Sequence, residues 1–177
     1  YTVKQEMRTP ALDSVKDADD QEVEEGEFTF STTLKLTGQA SKGQTVEIFD
    51  GYGGDVVSKG RVTADRTTAI WTLEITVPEG DCRLYAKSLY HSSNVYSNVR
   101  TLTVVALVTP TLDSVEDAND REVGEDELTL STTLKLSGQA SKGQEVEIFE
   151  GYGGDAVSMG RVTADSTTGI WSHDITV

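Results

Sequence analysis

Two nearly identical segments begin one hundred residues apart in this chain, and this internal repeat is the feature that most limits its possible folds. Residues 10–77 align with residues 110–177 without a gap; 18 of the 68 positions differ, which leaves 50 identical. Segments this similar share one fold, so the chain is built from repeated units. A unit of about a hundred residues is the usual size of a domain with its own core.

The repeat also predicts how the chain is divided. The first repeat continues beyond residue 77, whereas the second reaches Val177, the counterpart of Val77, where the sequence stops. We therefore predict the tail of a preceding repeat or a linker at residues 1–8, a complete repeat at residues 9–107, and a second repeat at residues 108–177 without its last two strands. On this interpretation the chain is a fragment of a longer array.

Short alternating runs of apolar and polar residues predict β-strands. Leu34 and Leu36, for example, alternate with threonines and with Lys35, and no stretch has a convincing helical period. Phe49 directly follows the apolar Ile48, which predicts a bend or bulge there. The predicted strands, lettered in chain order, lie near residues 12–15 (A), 34–38 (B), 46–49 (C), 56–64 (C′ and D), 70–77 (E), 83–88 (F) and 99–104 (G).

Turn signals such as "SKGQ", "GYGG", "PEG" and "HSSN" separate these runs. Short strands at intervals of roughly ten residues, within about a hundred residues, are typical of an immunoglobulin-like sandwich. Local turns favour antiparallel pairing. The predicted fold is all-β: tandem immunoglobulin-like antiparallel sandwiches, the second of which lacks its last two strands.

The charge of the chain limits its partners. It has 30 acidic and 15 basic residues, a formal net charge of −15. Phosphate backbones bind clustered Lys and Arg, so we expect no nucleic-acid partner, and no membrane insertion in this segment. The remaining predicted partners are neighbouring repeats of the same chain. The acidity itself has two open interpretations: solubility with mutual repulsion, or contacts to divalent cations.

Nothing in the sequence suggests a catalytic site, and we predict that the protein is not an enzyme. Cys82 is the only cysteine, so no intrachain disulfide can form. A cysteine nucleophile needs a partnered histidine, but His91 and His173 are both isolated in the sequence. We interpret Cys82 as a buried or half-buried structural thiol.

The run "TLDSV", followed by an acidic turn and then by "LSGQASKGQEVEIFEG", "GRVTAD", "GIW" and "ITV", resembles the bacterial Ig-like repeats. The first repeat has the same elements. Repeats of that family occur in long arrays in large secreted or surface proteins, including biofilm adhesins. The resemblance implies an extracellular or cell-surface location and a spacer or stalk role that projects other domains for attachment or biofilm. It implies no cofactor other than calcium.

Two acidic clusters are the candidate metal ligands. They contain Asp17, Asp19, Asp20 and Glu22 in the first repeat, and Asp117, Asn119, Asp120 and Glu122 in the second. Calcium takes six to eight oxygen ligands, and closely spaced Asp, Asn and Glu residues can supply them. Related adhesin repeats are often made rigid by calcium near their junctions. The other open interpretation is a solvated turn, since the spacing of an EF-hand is absent.

A binding module is the alternative to the spacer role. Each sandwich would then contact a glycan or a host protein through its C–C′ and F–G loops. The candidate ligand-binding residues are the tyrosines of these loops: Tyr52, Tyr152, Tyr90 and Tyr96.

The junction and the incomplete second repeat lead to two further expectations. The junction "VVALVTP" has no Gly or Ser, and Pro110 restricts the backbone, so we expect a semi-rigid link between repeats. The second repeat exposes an unpaired strand edge, so we expect either that the chain continues or that another chain completes the repeat by strand exchange. Residues 1–3, "YTV", are an available donor strand.

Overall fold

A computed structural model of the protein describes residues 7–177. The chain forms two compact units: the first unit is Tyr1–Val105 and the second unit is Ala106–Val177. Most of the predicted tail at residues 1–8 and the candidate donor strand at residues 1–3 lie outside the described residues. Within residues 7–177, no helix has the length and apolar character needed to cross a membrane.

The described part of the first unit, residues 7–105, contains eight strands in two sheets. Strands β1, β3 and β6 form one sheet in that order, and the other has the order β2-β8-β7-β4-β5. All pairs are antiparallel except the short parallel pair of β2 with β8. The bounds are β1 (Ala11–Lys16), β2 (Phe28–Thr29), β3 (Thr33–Gln39), β4 (Thr45–Asp50), β5 (Val57–Thr63), β6 (Ile70–Thr76), β7 (Gly80–Ser88) and β8 (Arg100–Val104).

The second unit repeats five of these strands. Strand β10 lies between β9 and β13 in one sheet, and β11 pairs with β12 in the other, all antiparallel. A single 3-10 turn precedes β5 in the first unit and β12 in the second. The bounds are β9 (Thr111–Glu116), β10 (Thr133–Gln139), β11 (Glu145–Glu150), β12 (Val157–Thr163) and β13 (Ile170–Thr176).

The predicted all-β sandwich class is confirmed, with two differences in the strands. The prediction contained no strand equivalent to β2. Residues 56–64, predicted as two strands, contain the single strand β5. The predicted irregularity at Phe49 is confirmed, because the register of β4 against β5 shifts between Ile48 and Phe49. The same shift occurs between Ile148 and Phe149 in the second unit.

The core of the first unit is formed by apolar side chains that alternate with polar ones along the strands. Trp71, Leu36, Ile48 and Leu84 are among its largest fully buried residues, and they come from both sheets. The core of the second unit contains the counterparts Trp171, Leu136 and Ile148, but it has fewer buried residues.

A glycine sets the distance between β1 and β3. A Cβ atom built on Gly38 would lie 1.9 Å from the carbonyl oxygen of Ala11 and 2.5 Å from Cζ2 of Trp71. The indole N–H of Trp71 donates to the carbonyl oxygen of Gln39 at 3.1 Å. Gly138 is similarly close to the carbonyl oxygen of Thr111 and to the ring of Trp171. In both units, therefore, the glycine allows the tryptophan ring to pack directly against the backbone.

Candidate functional site

The outer face of the five-stranded sheet in the first unit carries a cluster of aromatic rings. Leu84 and Ala86 of β7 point into the core, so Tyr85 between them faces outward. Phe49 lies opposite Tyr85 across the β4–β7 ladder. Their rings stack with centroids 5.8 Å apart and an interplanar angle of 24°. The ring of Tyr96 meets that of Tyr85 edge-on, with centroids 5.7 Å apart.

Arg83 extends this cluster to the loop after β4. Its guanidinium carbon lies 5.0 Å from the ring centroid of Tyr52 and 5.1 Å from that of Tyr85. A hydrogen bond of 3.2 Å from Arg83 Nη1 to the carbonyl oxygen of Gly51 fixes the guanidinium. We call the resulting surface the aromatic row; it consists of Tyr52, Arg83, Tyr85, Phe49 and Tyr96.

The aromatic row joins two of the residues predicted from the sequence. Tyr52 is 60 % exposed and Tyr96 is 47 % exposed, and Arg83 with Tyr85 connects them. Aromatic faces next to a guanidinium can stack on the apolar face of a sugar ring or on another planar group. The same contacts also cover the outer face of β4 and β7, which is a structural role.

Sequence reasoning missed the three central members of the row, Phe49, Arg83 and Tyr85. Tyr85 had a usable signal, because it alternates with Leu84 and Ala86 in a predicted strand and must therefore face solvent. Phe49 had none, since its direction depends on the bulge and its contact with Tyr85 on the register of two strands that are distant in sequence.

The other two predicted tyrosines have different surroundings. The hydroxyl of Tyr90 donates to the carbonyl oxygen of Arg8 and accepts the backbone N–H of Ser41 at 3.2 Å. Its ring packs against the core of the first unit, so Tyr90 holds the entry of the chain into this unit. Tyr152, in contrast, is 93 % exposed.

The acidic turn after β1 uses its oxygens for local hydrogen bonds. Asp17 Oδ1 accepts the backbone N–H groups of Asp19 and Gln21 at 2.9 and 3.0 Å. Asp20 has a φ of 59°, a left-handed conformation that Asp tolerates in turns. Asp117 accepts the N–H groups of Asn119 and Arg121 in the same way.

Glu22 points back toward the strands. Its carboxylate accepts hydrogen bonds from Ser14 Oγ at 2.6 Å and from the Val15 N–H at 3.1 Å, and it pairs with Arg100 Nη1 at 2.9 Å. Glu122 repeats the two contacts to β9, through Ser114 and Val115.

No group of three or more His, Cys, Asp or Glu side chains within residues 7–177 is placed to hold a metal ion. The acidic turns accept backbone N–H groups through Asp17 and Asp117, while Glu22 and Glu122 face their strands. Asp120 has a φ of 59°, like Asp20. As arranged, this donor set does not fit a calcium ion, and calcium binding stays a prediction.

Cys82 lies inside the core of the first unit. It is 2 % exposed, and burial, assisted by the negative charge of Asp50, raises the pKa of its thiol to about 11. The interpretation as a buried structural thiol is confirmed. His91 makes its own contact elsewhere, between Nδ1 and Ser88 Oγ at 2.5 Å.

These features define a class: all-β proteins that contain antiparallel sandwich units. No family model matches the chain, and no curated protein sequence matches it significantly. Among solved structures the chain is similar to one described as "Biofilm associated protein - BSP domain", with 16 % identity and a TM-score of 0.30. That match covers 97 % of this chain, which spans about a quarter (24 %) of the length of the matched one.

Proposed function

We propose that the chain is a spacer segment of a large extracellular bacterial surface protein, made of bacterial Ig-like repeats that project other domains for attachment or biofilm. The observation that carries the proposal is that both units hold the entering backbone with the same contact. The N–H of Arg8 donates to Ser41 Oγ at 2.7 Å, and the N–H of Val108 donates to Ser141 Oγ at 2.7 Å.

The exit from the first unit is fixed as well. The N–H of Val105 donates to the carbonyl oxygen of Thr29 at 2.8 Å. Only Ala106 and Leu107 lie between this residue and Val108, which is held by the second unit. Two apolar residues without glycine make a short link with little conformational freedom, which is the property that a spacer needs.

The charge supports the same proposal. With a net charge of −15, parallel arrays of such units repel one another and remain soluble. A spacer benefits from this repulsion because it keeps neighbouring stalks apart.

Small-angle X-ray scattering of the intact chain tests the spacer proposal. We expect a narrow distribution of distances between the two units. A variant with Gly-Ser-Gly-Ser inserted between Ala106 and Leu107 should broaden this distribution, because its linker behaves as a flexible coil. Equally broad distributions for the two proteins would contradict the proposal.

The aromatic row favours a second candidate function, a binding module for a glycan or a host protein. Its exposed rings and guanidinium lie on one sheet face, whereas Tyr152 in the second unit has no such neighbours among the described residues. Binding would therefore depend on the first unit.

A glycan array probed with the intact chain tests this alternative. Saturable binding that is lost in Tyr52→Ala and retained in the matched control Tyr152→Ala would establish the binding role. Binding that both variants retain, or no binding at all, would leave the aromatic row with its structural role.

A further inference from the structure

The second unit contains a groove along one edge of β11. Its volume is about 440 Å³, and its walls include Leu112, Leu136, Val146, Ile148 and Trp171. Strand β11 has β12 on one side and, among the described residues, no strand on the other. The groove thus combines an apolar floor with an open strand edge.

The first unit shows what covers the equivalent surface. There β7 pairs with β4 in an antiparallel register that places Ser88 opposite Val46, Ala86 opposite Ile48 and Tyr85 opposite Phe49. Leu84 and Ala86 are fully buried in this position. The three β4 residues of this register recur unchanged in the second unit as Val146, Ile148 and Phe149.

The backbone of β11 presents the matching hydrogen-bonding groups. The ladder between β4 and β7 is bordered by the bond from the Leu89 N–H to the Thr45 oxygen and by the bond from the Gly51 N–H to the Arg83 oxygen. Because bonded pairs alternate along an antiparallel ladder, the peptide groups of residues 47 and 49 also face β7. Their counterparts at residues 147 and 149 form the open edge.

The end of β9 lacks a contact that β1 has. In the first unit the side chain of Asn98, in the segment between β7 and β8, accepts the N–H of Leu12 at 2.9 Å and donates to its carbonyl oxygen at 2.8 Å. Leu12 is 2 % exposed, whereas its counterpart Leu112 is 57 % exposed.

The equivalent of β2 is also without its partner. In the first unit Phe28 and Thr29 pair with β8. The second unit has no strand at residues 128–129, and the side chain of Leu128 is fully exposed. One hairpin, with a first strand like β7 and a second like β8, would satisfy all three features.

We propose that the groove of the second unit binds a β-hairpin with the chemistry of residues 80–104, whose first strand adds to the edge of β11. The recognition elements are inward apolar residues at the positions of Leu84 and Ala86, an Asn at the position of Asn98 that holds the backbone of Leu112, and a second strand that pairs with residues 128–129. This is strand addition, in which main-chain hydrogen bonds give affinity and alternate side chains give specificity.

A synthetic peptide with the sequence of residues 78–105, carrying Cys82→Ala to prevent disulfide formation, tests the proposal on the intact chain. Hydrogen exchange is measured with and without the peptide. We expect the amides of Glu147 and Phe149 to exchange at least about tenfold more slowly when the peptide is bound, and residues 128–129 to become protected. The amides of the first unit should not change.

Matched peptide variants distinguish specific binding in the groove from non-specific binding of the peptide. Leu84→Gln places a polar group in the apolar groove and should abolish the protection. Lys87→Gln changes an outward position and should retain it. Asn98→Ala should weaken binding several-fold, because the backbone of Leu112 loses both of its hydrogen bonds.

If the free peptide aggregates, a fusion of the peptide sequence to the chain tests the proposal instead. The same 28-residue sequence is joined directly after Val177, as residue 78 follows Val77. The thermal midpoint of the second unit should then rise toward that of the first. An unchanged midpoint, no protection of Glu147 and Phe149, or equal binding of the Leu84→Gln peptide would overturn the proposal. Dimers of the chain with β11 already protected would overturn it as well, since the occupant would be a second copy.

Discussion

At the scale of single residues, Glu22 connects three segments of the first unit, whereas Glu122 connects two of the second. Glu22 binds Ser14 and Val15 and also pairs with Arg100, which itself donates to the Val23 carbonyl oxygen at 2.7 Å. The carboxylate therefore ties β1 to β8, across the two sheets.

Replacing this carboxylate with an amide of the same shape isolates the contribution of its charge. We expect Glu22→Gln to lower the free energy of unfolding of the first unit by about 1 kcal/mol, the usual loss for one charge-assisted hydrogen bond in a partly exposed site. Glu122→Gln is the matched control and should cost less. Urea unfolding measures both variants, and equal losses would show that the Arg100 pair contributes nothing.

The same group predicts a dependence on pH. Burial alone would raise the pKa of Glu22, but hydrogen bonds from Ser14, Arg100 and Val15 together outweigh it and hold the pKa below the ordinary 4.5. The folded state then binds fewer protons than the unfolded state near pH 4.5, so the stabilisation is complete above that pH. It is lost as the pH falls through the lower, folded value. Acid unfolding of Glu22→Gln should show a smaller loss over this range than that of the unchanged chain.

The thiol of Cys82 gives the third prediction at this scale. With a pKa of about 11 and 2 % exposure, it is almost entirely protonated and inaccessible at pH 8. We expect Ellman's reagent to label the folded protein far more slowly than the urea-unfolded protein. Rapid labelling without denaturant would contradict the burial of the thiol.

At the scale of elements, the contact between β1 and β3 depends on the absence of a side chain at residue 38. We expect Gly38→Ala to destabilise the first unit by about 3 kcal/mol, because the new methyl group would overlap the Ala11 carbonyl and the Trp71 ring. Gly54→Ala is the control, since nothing lies within 4 Å of a Cβ there. Chemical unfolding followed by tryptophan fluorescence measures both, and equal stability of the two variants would contradict the close approach.

Strands with a clear alternation could be predicted from the sequence, and those without it could not. The strand predicted near residues 34–38 alternates clearly and is confirmed as β3, but β2 has only two residues and therefore no period. Residues 56–64 are predicted as two strands, C′ and D, which requires a turn between them. Gly60 instead lies within β5 with a φ of 126°, opposite the irregularity at Ile48, so the glycine accommodates the bulge and the strand continues.

In the candidate site, too, some residues can be predicted from the sequence and others cannot. Tyr52 and Tyr96 were selected because they lie in predicted loops. Their connection through Arg83 and Tyr85 depends on which strands pair and in what register, and a single sequence does not determine this. Residue type and loop position therefore predict Tyr52 and Tyr96. The contacts that join them arise from strand pairing, which the sequence alone does not give.

At the scale of the whole molecule, the two units have unequal cores. Leu12, Leu34 and Val15 are fully buried in the first unit, but their counterparts in the second are partly or largely exposed. Burial of apolar surface contributes about 25 cal/mol per Å², so the second unit should be the less stable.

We therefore expect two thermal transitions, the second unit unfolding first. The variants Trp71→Phe and Trp171→Phe each leave one tryptophan, so the fluorescence of each reports on a single unit. Trp171 fluorescence should change at the lower temperature. Coincident transitions for both tryptophans would show that the units unfold as one.

The parallel pairing of β2 with β8 contributes to how the first unit resists tension. Val105 leaves this pair through its bond to Thr29, beside the bonds from Thr103 to Glu27 and from Gly26 to Thr101. When one of two neighbouring parallel strands is pulled at its N-terminal end and the other at its C-terminal end, the two strands slide past each other in opposite directions. All the bonds between them are then loaded in shear at once and cannot be opened one after another. On the proposed spacer role, this short patch would resist tension applied between residue 26 and residue 105 until its bonds break together.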